Sequence, residues 1–215
     1  MIASKQTVLH CFQVLEENNI RYALLRNINH ELPEHYELGK KDIDIIVHPE
    51  DQNRFHAVMK NEKWMKKRHP WDFGNNFVFL YAMNPFEFYE KDGVIFDVCF
   101  QLCCRSINAG EWMPIDQIIN HSVWDNRKKN DLWGWFELSE EDELIHLLTR
   151  CVFDKKEFKE GYIQRIEELL SLVDLDNVVR KAETVFFLFT GKLFDMIKKK
   201  KYQQIVEAYN TFIDY

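Results

Sequence analysis

The sequence predicts an α+β protein in which a mixed sheet flanked by helices is followed by a C-terminal helical bundle. Short apolar runs alternate with amphipathic segments of helical period over the first half of the chain. An Asp-Gly pair joins two alternating runs, and the chain from Ser139 onward keeps a helical period. We therefore expect two units, an α/β domain over residues 1–110 and a mainly helical domain over residues 111–215.

The first elements alternate between helix and strand. A helix is predicted over residues 7–18, where apolar residues recur at helical spacing, and a short buried strand over residues 21–27. A polar loop leads to a second strand, which covers residues 42–47. A second helix is predicted over residues 49–61, because its leading proline costs no hydrogen bond in the first helical turn.

Two further strands flank the clearest turn signal of the chain. Alternating runs over residues 86–91 and 94–99 enclose Asp92 and Gly93, a pair that tolerates the positive φ angles of a tight hairpin turn. Another strand is predicted over residues 76–81. Because sequential strands often pair, we expect the hairpin to lie beside the strand that contains Asp44.

The remainder of the chain is mostly helical. A short helix is predicted over residues 115–120 and a small strand over residues 133–138. Ser139 precedes a run of acids, which is the pattern of an N-cap followed by a first turn that the helix dipole stabilises. The Phe-rich run over residues 185–189 is most simply part of a buried helix, and a homodimer interface is the alternative.

Composition limits the partners that we expect. The 215 residues are 46% hydrophobic, which is enough for a sizeable core, and they carry a formal net charge of -7. An acidic surface disfavours nucleic acid and anionic membranes as partners. Since no apolar run approaches the ~20 residues that cross a bilayer, we expect no membrane partner.

The N-terminus and the cysteines indicate the cytoplasm. Residues 1–6 lack the basic start, apolar centre and cleavage site of a secretory signal. The five cysteines are odd in number and irregular in spacing, which favours reduced, buried thiols over a disulfide framework. We reject a zinc site on Cys99, Cys103 and Cys104, because the paired spacing of such sites is missing.

Three aspartates are the candidate functional residues of the chain. Asp42 and Asp44 are two residues apart in a strand, so both point to the same face, while Ile43 points to the core. Asp97 lies between apolar neighbours in the second arm of the hairpin, where a carboxylate needs a partner. If the hairpin pairs beside the first of these strands, the three carboxylates converge.

Converging carboxylates are the ligands that divalent cations prefer, and three of them can hold two Mg²⁺ ions against the phosphates of a nucleoside triphosphate (NTP). In that arrangement Asp42 and Asp44 bind both ions. Asp97 binds only the ion that activates the acceptor oxygen, and it can take the proton. The alternative is that Asp42 and Asp44 are merely hydrated, or paired with Lys40 and Lys41.

The acids lie in a pattern that resembles a known superfamily. The sequences Leu-Leu-Arg-Asn at 24–27, Gly-Lys-Lys-Asp-Ile-Asp-Ile-Ile-Val at 39–47 and Leu-Ser-Glu-Glu-Asp-Glu-Leu-Ile-His-Leu-Leu at 138–148 are similar to a loosely characterised bacterial branch of the nucleotidyltransferases with a DNA polymerase beta-like fold. That branch resembles antibiotic nucleotidyltransferases and occurs among proteins of surface-polysaccharide biosynthesis. The resemblance covers most of residues 7–173, and its most specific part is the three acids.

The resemblance implies a nucleotide site that this chain must build differently. Members usually carry Gly-Ser at a helix start before the Asp-x-Asp strand, where backbone amides hold the triphosphate. No Gly-Ser precedes Asp42. In its place we expect Arg26 to bind phosphate with its forked donors, with Asn27, Lys40 and Lys41 nearby. The alternative for Arg26 is a surface position or an ion pair with a glutamate of the following loop.

The sequence therefore predicts a Mg²⁺-dependent nucleotidyltransferase that moves a nucleoside monophosphate from an NTP to a small-molecule acceptor. The alternative is a catalytically inactive binding or assembly protein that keeps the fold and has lost nucleotide binding together with Gly-Ser. A metal-dependent phosphohydrolase or nuclease is a weaker alternative, because the acidic balance suits nucleic-acid substrates poorly.

Overall fold

The computed structural model describes residues 2–67, 85–105 and 112–213 of the chain. Its α-helices in these ranges are α1 (Ile2–Glu17), α2 (Gln52–Asn61), α3 (Gln117–Asn126), α4 (Glu140–Thr149), α5 (Glu160–Leu170), α6 (Leu175–Phe186), α7 (Thr190–Lys198) and α8 (Ile205–Asn210). Its strands are β1 (Tyr22–Leu24), β2 (Ile43–Val47), β3 (Met65–Lys67), β4 (Phe86–Lys91), β5 (Val94–Cys99), β6 (Cys103–Arg105), β7 (Trp112–Pro114), β8 (Lys128–Lys129) and β9 (Phe136–Glu137). A π-helical turn, Arg150–Lys155, follows α4 directly. The strand predicted over residues 76–81 lies outside the described residues.

The expected α+β class is confirmed, with a mixed sheet flanked by helices and a helical C-terminal part. The expected hairpin is β4 followed by β5, and its turn residues Asp92 and Gly93 have φ angles of 52° and 76°. The N–H of Gly39 donates a hydrogen bond of 2.9 Å to the carbonyl of Gly93. The hairpin turn is therefore tied to the loop that leads into β2.

Within the described residues, seven strands form one sheet in the order β3-β4-β5-β2-β1-β9-β8. β2 lies at its centre, with β5 parallel on one side and β1 antiparallel on the other. All five residues of β2 are buried, as expected for a central strand that is covered on both faces. The register of β2 and β5 places Asp44 directly opposite Asp97.

Side-chain alternation along β2 divides the core between the two faces of the sheet. Ile43, Ile45 and Val47 pack with the buried residues of α1 and α2. Ile46 belongs to the other cluster, which contains the buried residues of α4 to α7. Because Asp44 has the same parity as Ile46, its side chain points toward the C-terminal helices.

The main sheet takes strands from both of the units that the sequence predicts. β9 and β8 follow residue 110, yet β9 pairs in parallel with β1 and β8 pairs with β9. The small strand expected within residues 133–138 is thus an integral part of the sheet. The division into residues 1–110 and 111–215 remains a prediction.

The Phe-rich run is not one buried helix. α6 ends at Phe186, and Phe187–Phe189 form a 3₁₀ turn that starts at a φ of 50°. Phe187 and Leu188 are 69% and 67% exposed, while the residues on either side of them are buried. The prediction for this run is wrong for its middle residues, because the chain turns there.

All five cysteines are free and buried. Burial raises the pKa of Cys103 and of Cys104 to about 12, so these thiols stay protonated at neutral pH. Within the described ranges, no helix combines the length and the apolar character that crossing a membrane requires.

A buried network around Asp142 holds the start of α4. Ser139 caps this helix as expected, accepting a hydrogen bond from the Asp142 N–H at 3.2 Å. The carboxylate of Asp142 is fully buried and accepts hydrogen bonds from Ser122 at 2.7 Å and Ser139 at 2.8 Å. Lys181 pairs with it at 3.2 Å. The network joins α3, α4 and α6, and it positions the helix that leads into the π-helical turn.

We expect Asp142→Ala to lower the free energy of unfolding by about 3 kcal/mol, because Lys181 and two hydroxyl groups lose a buried acceptor. Urea unfolding followed by circular dichroism measures this loss. The control is Asp131→Ala, which removes an exposed acid and should change stability by less than about 0.5 kcal/mol. Equal losses in the two variants would contradict the role of the network.

Candidate functional site

Three carboxylates meet on one face of the sheet. Asp42 directly precedes β2, Asp44 lies in β2, and Asp97 lies in β5. One carboxylate oxygen of each lies within 4.8 Å of those of the other two. Asp42 is exposed, Asp44 is buried, and Asp97 is intermediate. The strand order therefore brings together the acids that the sequence singles out.

The donor set of this cluster fits a hard divalent cation. Carboxylate oxygens are the preferred ligands of Mg²⁺ and Ca²⁺, and a spread of 4.8 Å is close to the ~4–5 Å width of one coordination sphere. Three like charges at this range also repel one another. The cluster thus needs positive charge, either from a cation or from neighbouring side chains.

Two arginines supply positive charge to Asp44. Nη2 of Arg26 lies 2.6 Å from Oδ2 of Asp44, and Nη2 of Arg150 lies 3.9 Å from Oδ1. The side chains of Arg26 and Asp44 are each 11% exposed, and that of Arg150 is 16% exposed. Arg26 thus pairs with an acid of the site and not with a glutamate of the following loop.

Sequence reasoning missed Arg150, the first residue of the π-helical turn. Burial opposes its charge, but Asp44, the hydrogen-bonded Tyr162 and Asp154 outweigh this effect and raise the pKa of Arg150. The signal in the sequence is a lone arginine within an apolar helical run. A buried arginine needs an acidic partner, and that rule could have marked the residue without naming the partner.

Three buried nitrogens near this ion pair have no hydrogen-bond partner among the described residues. They are Nη1 of Arg26, Nε of Arg150 and Nε2 of His146. A buried polar group without a partner costs about 1–3 kcal/mol. Burial and the two arginines hold the pKa of His146 well below its ordinary value, so its ring is neutral. The site therefore keeps hydrogen-bonding capacity that a ligand can use.

A cavity of about 660 Å³, here called the first cavity, opens beside the acids. The rings of Phe86 and Trp112 meet edge to face in its wall with centroids 4.6 Å apart, and the guanidinium of Arg105 lies 4.9 Å from the Trp112 ring. Asp42, Asp97 and Asp154 are its acidic residues. Among the residues that the structure describes, the basic ones in its lining are twice as numerous: Arg26, Lys40, Lys41, Arg105, Arg150 and Lys155.

A second cavity, of about 430 Å³, adjoins the same acids. It shares Arg26, Lys41, Asp42 and Tyr162 with the first cavity, so the carboxylate cluster lies where the two cavities meet. Its charges are balanced, since its basic residues are Arg26, Lys41 and Lys159 and its acidic residues are Glu31, Asp42 and Asp44.

The other three predicted nucleotide-binding residues have local partners. The side chain of Asn27 exchanges hydrogen bonds of 3.0 and 3.3 Å with the backbone of the following loop. Lys40 pairs with Glu37 at 3.5 Å, and Lys41 pairs with Glu31 at 2.6 Å. Both lysines line the first cavity while paired with these glutamates. Asn27 thus braces the loop before β2.

Asp154 is a further acid of the first cavity that sequence reasoning did not single out. Its Oδ1 accepts a hydrogen bond of 2.8 Å from the backbone N–H of Arg105, and its Oδ2 lies 3.9 Å from Nη1 of Arg150. Burial raises the pKa of Asp154. The residue ties β6 to the π-helical turn and forms a second ion pair with Arg150.

Neither a protein-family profile nor a curated protein sequence matches the chain. Among solved structures, the solution structure of the antibiotic-resistance factor ANT(2'')-Ia matches it with a TM-score of 0.52 at 9% identity, over 94% of this chain and 100% of that chain. The chain has a nucleotidyltransferase-like fold. The lincomycin-bound crystal structure of the lincosamide antibiotic adenylyltransferase LnuA matches with a TM-score of 0.46 at 13% identity, over 78% of this chain and 97% of that chain.

The nucleotidyltransferase-like fold confirms the fold that the resemblance of the sequence implies. In this chain the fold combines an acid cluster on the sheet with basic side chains from two places. Arg26 follows β1, whereas Arg150 comes from the C-terminal helical part. Both parts of the chain are thus needed to build the site.

We expect His146 to make this nucleotidyltransferase-like fold less stable in mild acid. The pKa of His146 in the folded chain lies well below the ordinary 6.5, so the unfolded chain takes up the proton first as the pH falls. Below pH 6.5 this residue should remove about 1.4 kcal/mol from the free energy of unfolding per pH unit. Urea unfolding at several pH values between about 7 and 5 measures the slope.

Two variants separate His146 from other acid effects. His146→Gln should flatten the pH dependence below pH 6.5. Ile145→Val, on the same helix, should keep the wild-type slope while losing about 1 kcal/mol at every pH. A slope that is the same in His146→Gln and in the wild type would show that the imidazole is not the source.

Proposed function

We propose that the protein is a Mg²⁺-dependent nucleotidyltransferase, which transfers a nucleoside monophosphate from an NTP to a hydroxyl or phosphate of a small-molecule acceptor. The observation that carries this proposal is the convergence of Asp42, Asp44 and Asp97 within 4.8 Å, from adjacent strands of a nucleotidyltransferase-like fold. The cytoplasm is the proposed location.

The three acids have distinct roles in this proposal. Asp42 and Asp44 would hold two cations, while Asp97 would hold only the cation on the acceptor side and would take the acceptor's proton. Bound Mg²⁺ supplies charge neutralisation for the phosphates and polarises the acceptor oxygen. The β2–β5 register supports this assignment, because it sets Asp44 and Asp97 side by side.

The proposed reaction is an in-line displacement at the α-phosphorus. The acceptor oxygen forms a bond to the α-phosphorus, the bond from that phosphorus to the bridging oxygen breaks, and pyrophosphate leaves. The proton of an acceptor hydroxyl passes to Asp97 and then to solvent. Because charge spreads over the phosphate oxygens during the transfer, basic side chains that already face the site lower the barrier.

The charges of the lining residues support assigning the nucleotide to the first cavity and the acceptor to the second. The described lining of the first cavity has twice as many basic as acidic residues, so it suits the polyphosphate of the nucleotide. Its aromatic wall, which includes Phe86 and Trp112, offers a surface on which a nucleobase can stack. The balanced second cavity is left for the acceptor, whose reacting oxygen would lie where the cavities meet.

The alternative function is a catalytically inactive binding or assembly protein with the same fold. The observation that favours it is the lack of Gly-Ser before Asp42. Calorimetric titration with ATP, CTP, GTP and UTP in the presence of Mg²⁺ separates the two functions. Failure of all four nucleotides to bind would support the alternative. Release of inorganic phosphate without transfer would instead indicate a phosphohydrolase.

We expect Asp44→Asn to weaken binding of the preferred Mg²⁺–NTP by about tenfold or more, because the nucleotide-side cation loses a ligand. Asp97→Asn should leave nucleotide binding within about threefold of wild type and reduce transfer by about 10²-fold or more. Calorimetry measures the first effect, and pyrophosphate release with a panel of hydroxylated acceptors measures the second.

The control is Asp131→Asn, which removes one negative charge from an exposed position outside the site. It should match the wild type in both assays. Nucleotide binding that is equally strong in Asp44→Asn and in the wild type would contradict the proposed metal site.

A further inference from the structure

Arg26 forms an ion pair with Asp44, which is one of the three acids that we propose bind the cation. Its Nη2 lies 2.6 Å from Oδ2 of Asp44, and both side chains are 11% exposed. Opposite charges that lie this close in a mostly buried setting attract each other strongly. In this arrangement a cation that approaches Asp44 has to compete with Arg26.

The charges around Asp44 put the cation at a disadvantage in this competition. Arg26 and Arg150 both lie within 4 Å of Asp44, and their positive charges partly offset the three negative charges of the cluster. A divalent cation that enters alone meets a weakly negative site with two positive groups beside it. The arrangement therefore disfavours the binding of a metal ion by itself.

Arg26 can also bind a ligand in the two cavities that it lines. Its side chain lines both cavities, and its Nη1 is buried without a hydrogen-bond partner among the described residues. A phosphate group can accept hydrogen bonds from two guanidinium nitrogens at once. In the ion pair with Asp44, only Nη2 of Arg26 contacts the carboxylate. A polyphosphate would thus satisfy Arg26 more fully than Asp44 does.

We propose that Arg26 is a latch: it exchanges Asp44 for a phosphate of the incoming nucleotide, so that nucleotide and divalent cations load the site together. The inference rests on the proposed function and extends it to the order of binding. A polyphosphate takes Arg26 away from Asp44 and adds negative charge, and both changes favour the cation. By linkage, the cation favours the polyphosphate to the same extent.

Arg150 differs from Arg26 in its surroundings. Its Nη2 lies 3.9 Å from Asp44 and its Nη1 lies 3.9 Å from Asp154, and Tyr162 also helps to stabilise its charge, so it has partners other than Asp44. Arg26 has its ion pair with Asp44 alone among the described residues. Arg26 is therefore the arginine that can leave Asp44, while Arg150 remains as a fixed positive charge.

The test uses two ligands separately, Mn²⁺ and inorganic tripolyphosphate, with protein that has been freed of metal. Removing the latch should move the two affinities in opposite directions. Arg26→Gln should bind Mn²⁺ alone about tenfold more tightly than the wild type, because Asp44 is released. The same variant should bind tripolyphosphate alone about tenfold less tightly, because the forked donor is lost. Electron paramagnetic resonance of free Mn²⁺ measures the first affinity, and calorimetry measures the second.

Two further variants serve as controls. Arg26→Lys keeps the positive charge beside Asp44, so it should restore the weak Mn²⁺ binding of the wild type while recovering only part of the tripolyphosphate affinity. Lys155→Gln removes a positive charge from the first cavity at a residue with no ion pair to Asp44 among the described residues. It should raise Mn²⁺ affinity by less than about threefold. Circular dichroism establishes that each variant is folded, and the shift in melting temperature on adding Mn²⁺ gives a second measure of metal binding.

The outcomes separate the latch from the proposed function. Tighter Mn²⁺ binding and weaker tripolyphosphate binding in Arg26→Gln support the latch. If Mn²⁺ binding is unchanged or weaker in Arg26→Gln but is abolished by Asp44→Asn, the latch is wrong and the metal site stands. If Mn²⁺ binds equally to the wild type, Arg26→Gln and Asp44→Asn, both the latch and the proposed metal site are wrong.

Discussion

The parallel pairing of β2 with β5 is the constraint on which the rest of the site depends. Asp44 and Asp97 are far apart in the chain, and only this register places them opposite each other. The same pairing puts β2 at the centre of the sheet, where both of its faces must be covered. Because successive side chains along β2 point to opposite faces of the sheet, Ile43 and Ile45 pack toward α1 and α2, and Asp44 points toward the C-terminal helices. One backbone arrangement therefore decides both the core and the chemistry.

This arrangement creates an electrostatic problem that the C-terminal part of the chain solves. The carboxylate of Asp44 on the central strand is mostly buried, and two more carboxylates lie within 4.8 Å of it. Arg26 comes from the end of the neighbouring strand, but Arg150 reaches the site only because α4 runs into the π-helical turn. Asp154 and Tyr162 hold Arg150 in turn, so the stability of the sheet face and the packing of the helices are linked through charge.

The sequence predicted the parts of this structure that obey local rules. Asp42, Asp44 and Asp97 could be found because strand alternation and the hairpin turn at Gly93 are local signals, and the fold class followed from the same patterns. Arg150 and Asp154 could not be assigned, because a π-helical turn has no sequence signature and the direction of its side chains depends on how distant helices pack. β8 and β9 are two residues long each, so their place beside β1 is defined by their partners rather than by any period of their own.

The π-helical turn also bears on how such a site can change over evolutionary time. A turn of this kind amounts to one extra residue inserted into an α-helix, and each helical residue rotates the chain by about 100°. Arg150 is the first residue of this six-residue turn and Asp154 is the fifth, and Lys156 follows the turn in the left-handed conformation. The loss of a single codon within the turn would therefore swing one of the two charged residues out of the cavity wall without altering any strand. A change of this size would alter the charges in the cavity wall while leaving the scaffold intact.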